Sequence, residues 1–225
     1  AVGAALAVIK PKNKTMYSRE GFVIAALTWI VISLFGAIPF WISGYIPSYI
    51  DALFETVSGF TTTGASILPD VGALSNAHLL WRSFTHWIGG MGVLVFIMAV
   101  IPHDNGSTMY VLRAESPGPS VGKLVPKLKS SAKILYLIYV GLTLIQVIFM
   151  LFGKASLFEA LTLTFGTAGT GGFALTNASI ADYSPYIQKV ITVFMILFGI
   201  DFSLYYLILT RRISSFFKSE EVRVY

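Results

Sequence analysis

No cysteine occurs in the 225 residues, which excludes a disulfide scaffold, a thiolate metal site and a cysteine nucleophile. Charge is scarce as well. Asp, Glu, Lys and Arg make up 12% of the chain, against about a quarter in an ordinary soluble domain. A soluble domain of this length needs more charge than that to cover its surface. No initiator methionine or signal-peptide pattern opens the sequence. Residues 1–9 are apolar but too short to cross a hydrocarbon core of about 30 Å. They read as the end of a helix that begins before the chain does, with a short interfacial segment as the alternative.

Apolar residues are abundant, at 55% of the chain, and the mean hydropathy is +0.74. Most of the chain is therefore expected to be solvated by lipid. Four stretches, 22–43, 79–101, 133–152 and 186–210, approach the length of about 20 residues that a spanning helix needs. The net charge of +5 could suggest nucleic acid until the positions of the basic residues are read. Lys10, Lys12, Lys14 and Arg19 precede the first stretch. Arg113, Lys123, Lys127, Lys129 and Lys133 lie between the second and third, and Arg211, Arg212, Lys218 and Arg223 follow the fourth. Thirteen of the sixteen basic residues thus fall on one side, leaving Arg82, Lys154 and Lys189 for the other. The positive-inside rule makes that side, with both ends and the central linker, cytoplasmic. The basic character is an orientation signal, and no nucleic-acid partner is expected.

The connections 44–78 and 153–185 are far longer than a turn between helices requires. Each begins with a short apolar to amphipathic run, Leu53-Phe54-Glu55 in one and Leu157-Phe158-Glu159 in the other, 104 residues apart. Each then becomes rich in Gly and Thr. The chain reads as two copies of one unit: span, short helix, Gly/Thr segment, span. A helix of about 11 residues reaches only roughly 16 Å, about half the hydrocarbon thickness. Followed by extended backbone, it suits a re-entrant loop, and irregular backbone at membrane depth must be buried in protein or line a watery cavity. Glycine-rich extended backbone can turn successive carbonyls toward one axis, where they replace the hydration shell of a monovalent cation. The negative end of the preceding helix dipole favours the same ion. One such loop alone could equally be an extracellular glycine turn; two in register favour the pore reading.

The motifs carry a family resemblance. Phe54-Glu55-Thr56-Val57-Ser58-Gly59-Phe60-Thr61-Thr62-Thr63-Gly64-Ala65 resembles the first pore loop of the Trk/Ktr potassium-uptake transporters. Trp81-Arg82-Ser83-Phe84-Thr85-His86-Trp87-Ile88-Gly89-Gly90-Met91-Gly92 resembles the helix that follows it. Arg113-Ala114-Glu115-Ser116-Pro117-Gly118-Pro119 resembles the next cytoplasmic linker, and Thr170-Gly171-Gly172-Phe173 the second pore loop. The resemblance is closest to the Trk branch. It implies an all-α membrane protein whose two repeats form half of a four-repeat, potassium-channel-like pore. Each repeat supplies a quarter of a selectivity filter: Thr62, Thr63, Gly64, Ala65 and Ser66 in the first, Gly169, Thr170, Gly171, Gly172 and Phe173 in the second. Gly64 and Gly171 are the expected central glycines, with Gly169 as rival in the second loop, because Glu55 to Gly64 spans 9 residues and Glu159 to Gly171 spans 12. It further implies potassium as the transported ion, no enzymatic activity and no resident cofactor. The implied partners are the remaining pore repeats, a second copy in a homodimer, a cytoplasmic nucleotide-binding regulatory subunit and membrane lipid, in a prokaryotic inner membrane. A sodium- or ammonium-permeable relative and a non-transporting scaffold are the competing readings.

The expected organisation is a helix remnant with a basic segment over 1–19, a first pore repeat over 20–104, a cytoplasmic linker over 105–132, a second repeat over 133–213 and a tail over 214–225. Asp201 is the single acid inside a span and is a candidate pore or cavity residue, where the family pattern has an uncharged amide; a structural hydrogen-bonding role is the alternative. An intramembrane aspartyl protease would need a second aspartate facing it, and Asp51, Asp70, Asp104 and Asp182 all lie outside the spans. His86 and Arg82, one turn apart, lack the companions of a metal site and are expected to hydrogen-bond the pore-loop backbone. Glu55 and Glu159 are expected at equivalent places early in the short helices, stabilising them or lending negative potential to an outer vestibule.

Overall fold

The computed structural model of the chain describes residues 18–92, 128–209 and 220–224. Residues 1–17 of the expected 1–19 segment, residues 93–101 of the expected second span, most of the expected linker and most of the expected tail lie outside the described residues. What is described is helical, with no strand among those residues. Helix α1 (Ser18–Ile42), α2 (Tyr49–Phe60) and α3 (Asn76–Met91) form a first unit. Helix α4 (Leu128–Phe152), α5 (Leu157–Ala168), α6 (Pro185–Gly199) and α7 (Phe202–Leu209) form a second, and a short α8 (Glu220–Val224) follows.

Helices α1 and α4 have 25 residues each, about 37 Å at 1.5 Å per residue. Within them, Phe22–Ile42 and Lys133–Phe152 are long and apolar enough to cross a membrane. Much of their apolar surface faces outward: Phe22, Leu27, Ile30 and Phe35 on α1, and Leu144, Ile148 and Phe152 on α4. Such faces have no place in water and are at home in lipid.

The inner faces hold two cores. One gathers Ala37, Phe40, Ala52, Leu74 and Leu79 of the first unit with Leu175 from the second. The other gathers Tyr139, Met150, Leu163, Ile191, Phe194 and Phe198 with Met91 from the end of α3. Hydrogen bonds from side chains to helix backbone reinforce the packing, as buried polar groups require. The Thr56 hydroxyl reaches the Ser33 carbonyl at 3.1 Å, Trp81 Nε1 donates to the Gly36 carbonyl at 3.0 Å, and the Tyr139 hydroxyl donates to the Trp87 carbonyl at 2.8 Å. Helix α3 therefore touches α2 behind it and α5 and α4 in front, and it forms the seam between the units.

Two departures from the sequence reading stand out. The fourth stretch is not one helix. It breaks at Ile200 and Asp201, where α6 ends and α7 begins, and the Leu204 amide bonds the Asp201 carbonyl at 2.9 Å to start the new helix. The repeat register also differs. Ser48 caps α2 and Ser156 caps α5, each accepting a backbone amide of the first turn, and both helices have 12 residues. Their bounds and caps correspond at an offset of 108, whereas the Leu-Phe-Glu motifs are 104 apart. Glu159 is therefore in the first turn of α5, where it closes a capping box with Ser156. Glu55 is one turn further along α2, and its counterpart near the helix start is Asp51. A shared tripeptide marked the repeat, but the N-caps set its register.

Candidate functional site

Both short helices end on the Gly/Thr loops, and the 108-residue offset carries through them. Thr62 and Thr170 take left-handed backbone angles, φ 54° and 57°, and Gly64 and Gly172 follow at 79° and 80°. Left-handed backbone is uncommon for a threonine and easy for a glycine, so the same rare sequence of angles occurs twice. It pairs Gly64 with Gly172, one residue beyond the Gly171 that the resemblance implies and three beyond the rival Gly169. From cap to glycine both units then count 16 residues, Ser48 to Gly64 and Ser156 to Gly172, and no insertion needs to be absorbed.

The loops are tied to the helix ends they leave. The Thr63 amide donates to the Ser58 carbonyl at 2.9 Å, and the Gly172 amide to the Gly166 carbonyl at 3.0 Å. Ser58 Oγ donates to the Ala65 carbonyl at 2.5 Å. Thr61 and Thr63 share a hydroxyl contact at 2.8 Å. Gly169 caps α5, and the Thr170 amide returns to the Thr167 carbonyl at 2.8 Å.

The loops also meet each other. A β-carbon on Gly64 would run into the Gly171 carbonyl oxygen, and one on Gly171 would lie 2.8 Å from the Thr62 carbonyl oxygen and 2.7 Å from His86 Nε2. The residues expected at the site from sequence, Thr62, Thr63, Gly64 and Ala65 with Gly169, Thr170, Gly171 and Gly172, are thus in one place. Asp201 is buried, 9% exposed, at the break between α6 and α7.

Behind the loops lies a charged network. Arg82 of α3 pairs with Glu55 of α2, Nε to Oε1, at 2.5 Å with both side chains buried. The same carboxylate accepts from Ser66 Oγ at 3.0 and 3.1 Å and from the Ile67 amide at 2.9 Å, so its lone pairs are well used. Arg82 Nη1 also donates to the Ala174 carbonyl of the second loop at 3.1 Å. The hydrogen bond from Arg82 to loop backbone expected from its position is therefore present. The Arg82 guanidinium carbon sits 3.5 Å from the centre of the Phe173 ring, and the His86 ring stacks on Phe173 at 3.8 Å and 11°. Two groups so close to one centroid must occupy opposite faces. His86 does not make the hydrogen bond to loop backbone expected of it: its ring nitrogens meet no partner at hydrogen-bonding geometry.

Away from the long helices, Asn177 joins the two long connections, 44–78 and 153–185. Its Oδ1 accepts the Val71 amide at 2.8 Å and its Nδ2 donates to the Pro69 carbonyl at 2.6 Å. Tyr183, ahead of α6, has its phenol pushed up by burial and by the nearby carboxylate of Glu159. Nothing in the sequence signals the Asn177 tie or the Phe173 stack; the resemblance implies Phe173 only as the end of the second filter segment.

Half-length helices that end on irregular glycine backbone and follow long apolar helices define a class: helical membrane proteins with non-helical segments between their helices. A family model described as TrkH: Cation transport protein matches residues 1–223, and the chain belongs to that family. The Trk system potassium uptake protein TrkH of Escherichia coli strain K12 is 36% identical over 230 residues, covering 100% of this chain and 48% of the relative. The Trk system potassium uptake protein TrkG of the same strain is 34% identical over 215 residues, covering 93% and 44%. The crystal structure of the potassium transporter TrkH from Vibrio parahaemolyticus matches with a TM-score of 0.71 and 32% identity, covering 88% of this chain and 39% of that one. The chain spans about half the length of the curated relatives it matches.

Proposed function

We propose that this chain supplies two repeats of the pore of a potassium-uptake transporter, and that its Gly/Thr loops hold the ion by their backbone carbonyls. The observation that carries the reading is the convergence of two loops of the same backbone pattern, each leaving the carboxyl end of a 12-residue helix, at Gly64 and Gly171. The helix ends carry partial negative charge, and carbonyl oxygens suit a dehydrated monovalent cation. Relatives named as potassium uptake proteins and a solved potassium transporter support the choice of ion.

In this reading the filter comprises Thr62, Thr63, Gly64, Ala65 and Gly169, Thr170, Gly171, Gly172, with two further quarters from other pore repeats. Asp201, at the break below α6, lends negative charge to the cation path. Both ends and the central linker face the cytoplasm of a prokaryotic cell, where the linker meets a nucleotide-binding regulatory subunit, and two copies form a homodimer. The chain performs no chemical reaction and needs no resident cofactor.

The test is rescue of a potassium-uptake-deficient cell by the complete protein that carries this sequence, with Gly64→Ser beside it. Wild type is expected to restore growth at low potassium and to prefer potassium over sodium. Uptake and preference intact in Gly64→Ser would remove the filter assignment. Preference for sodium or ammonium in the wild type would select the alternative ion, and no cation flux at all would leave the scaffold reading.

A further inference from the structure

Phe173 belongs to the second loop, yet its surroundings belong to the first unit. Arg82 and His86 of α3 take its two faces. Gly59 of α2 lies against its edge, since a β-carbon there would be 3.5 Å from Phe173 Cε2. All three side chains are closed off from solvent, with Phe173 at 3%, Arg82 at 4% and His86 at 0% exposure. Arg82 is in turn anchored to Glu55, which holds Ser66 and the Ile67 amide at the far end of the first loop. A continuous chain of contacts therefore runs from the first loop through Ser66, Glu55, Arg82 and Phe173 to the second.

Packing alone does not call for these residue types. Counted from the N-caps Ser75 of α3 and Ser184 of α6, the positions of Arg82 and His86 are filled in the second unit by Ile191 and Met195. Apolar residues thus suffice at the same places of a similar helix. Buried ion pairs are often matched or bettered in stability by apolar packing, so a buried arginine and histidine here call for a reason beyond packing. A flat guanidinium and a flat imidazole on two faces of one ring fix that ring's height and tilt in a way that branched aliphatic packing does not.

We propose that the Arg82–Phe173–His86 stack is a specificity-determining clamp. It holds the second Gly/Thr loop at a set distance from the first, so that the carbonyl spacing matches one monovalent cation and not a smaller one. The three side chains position the loop and are not among the proposed ligands of the ion, which are backbone carbonyls. The inference rests on the proposed potassium pore.

The experiment compares initial potassium and sodium uptake by the complete protein in potassium-uptake-deficient cells, each rate divided by the amount of inserted protein. Wild type, Phe173→Tyr, Phe173→Leu and Arg82→Lys are measured. Phe173→Tyr keeps both ring faces and is expected to keep the wild-type ratio. Phe173→Leu removes the ring and Arg82→Lys removes the flat fork while keeping the charge; each is expected to lower the potassium-to-sodium ratio about tenfold and to raise KM for potassium. A purely architectural role would lower the amount of inserted protein and leave the ratio alone. Ratios within about twofold of wild type in Phe173→Leu and Arg82→Lys overturn the clamp. Failure of both to insert also overturns it, because a stack required for assembly sets no preference. If only one inserts, its ratio decides. Absence of potassium uptake in the wild type sinks the pore reading itself and is distinct from either result.

Discussion

A β-carbon on Gly64 would collide with the carbonyl oxygen of Gly171, so the two loops touch through glycines 107 residues apart in the chain. Gly172 has the same left-handed angle as Gly64 but open space around it, with only Met195 Cε 3.8 Å from an added β-carbon. Gly172→Ala therefore meets the backbone penalty alone, about 1–2 kcal/mol. Gly64→Ala meets that penalty and must also displace the Gly171 carbonyl. Thermal melting of the two variants, purified in detergent, is expected to place Gly64→Ala clearly below Gly172→Ala. Equal melting temperatures would mean that the loop contact yields without resistance.

Glu55 and Glu159 look alike in sequence and are expected to behave very differently. Removing the charge at Glu55 leaves a buried Arg82 without its counter-ion, an effect of about 3–5 kcal/mol. Glu159 contributes half of an exposed capping box, where such an interaction is worth about 0.5–2 kcal/mol. Glu55→Gln should thus lower the melting temperature several times more than Glu159→Gln. A comparable drop for both would restore the 104-residue register and contradict the helix caps.

That contrast shows how far the sequence could be read. The long helices were legible because lipid solvates them, so an apolar run of spanning length has few alternatives. The existence of two short helices was legible from Leu-Phe-Glu and the Gly/Thr segments behind it. Their register was not, because Glu55 serves a distant arginine and Glu159 its own helix end, and local motif matching cannot separate these uses. Serine N-caps at 48 and 156 held the register signal. The break before Asp201 had a weak local cue in Gly199, outweighed by 25 mostly apolar residues in a row. The Phe173 stack and the Asn177 tie join residues more than 85 apart, and only the packed fold brings them together.

Asn177 provides a test of the outer layer that is independent of transport. It donates to Pro69 and accepts from Val71, the first residue of the one-turn 3₁₀ helix at Val71–Ala73. Asn177→Ala leaves the Val71 amide without that acceptor, a loss of about 1 kcal/mol at a site partly open to water. Hydrogen–deuterium exchange of the segment around Val71 should accelerate by about fivefold, the factor that energy implies, while exchange in α2 and α5 stays at its wild-type rate. Unchanged exchange at Val71 would show that another group or water replaces the bond.

Orientation can be read directly because the chain has no cysteine of its own, so any thiol introduced here is the only one in this segment. In the proposed topology, which follows the thirteen clustered basic residues, the central linker is inside and Ser179, in the connection before α6, outside. Ser179→Cys should react with a membrane-impermeant maleimide in intact cells. Lys123→Cys should react only after the membrane is opened. Ser179 has a left-handed backbone, φ 57°, but its side chain is exposed, so the substitution is accessible to reagent and adds no new strain. The reverse pattern, with Lys123→Cys labelled from outside, would invert the topology. It would also turn the carboxyl ends of α2 and α5, and the loops they feed, toward the opposite face of the membrane, and the direction of uptake would have to be argued again from that geometry.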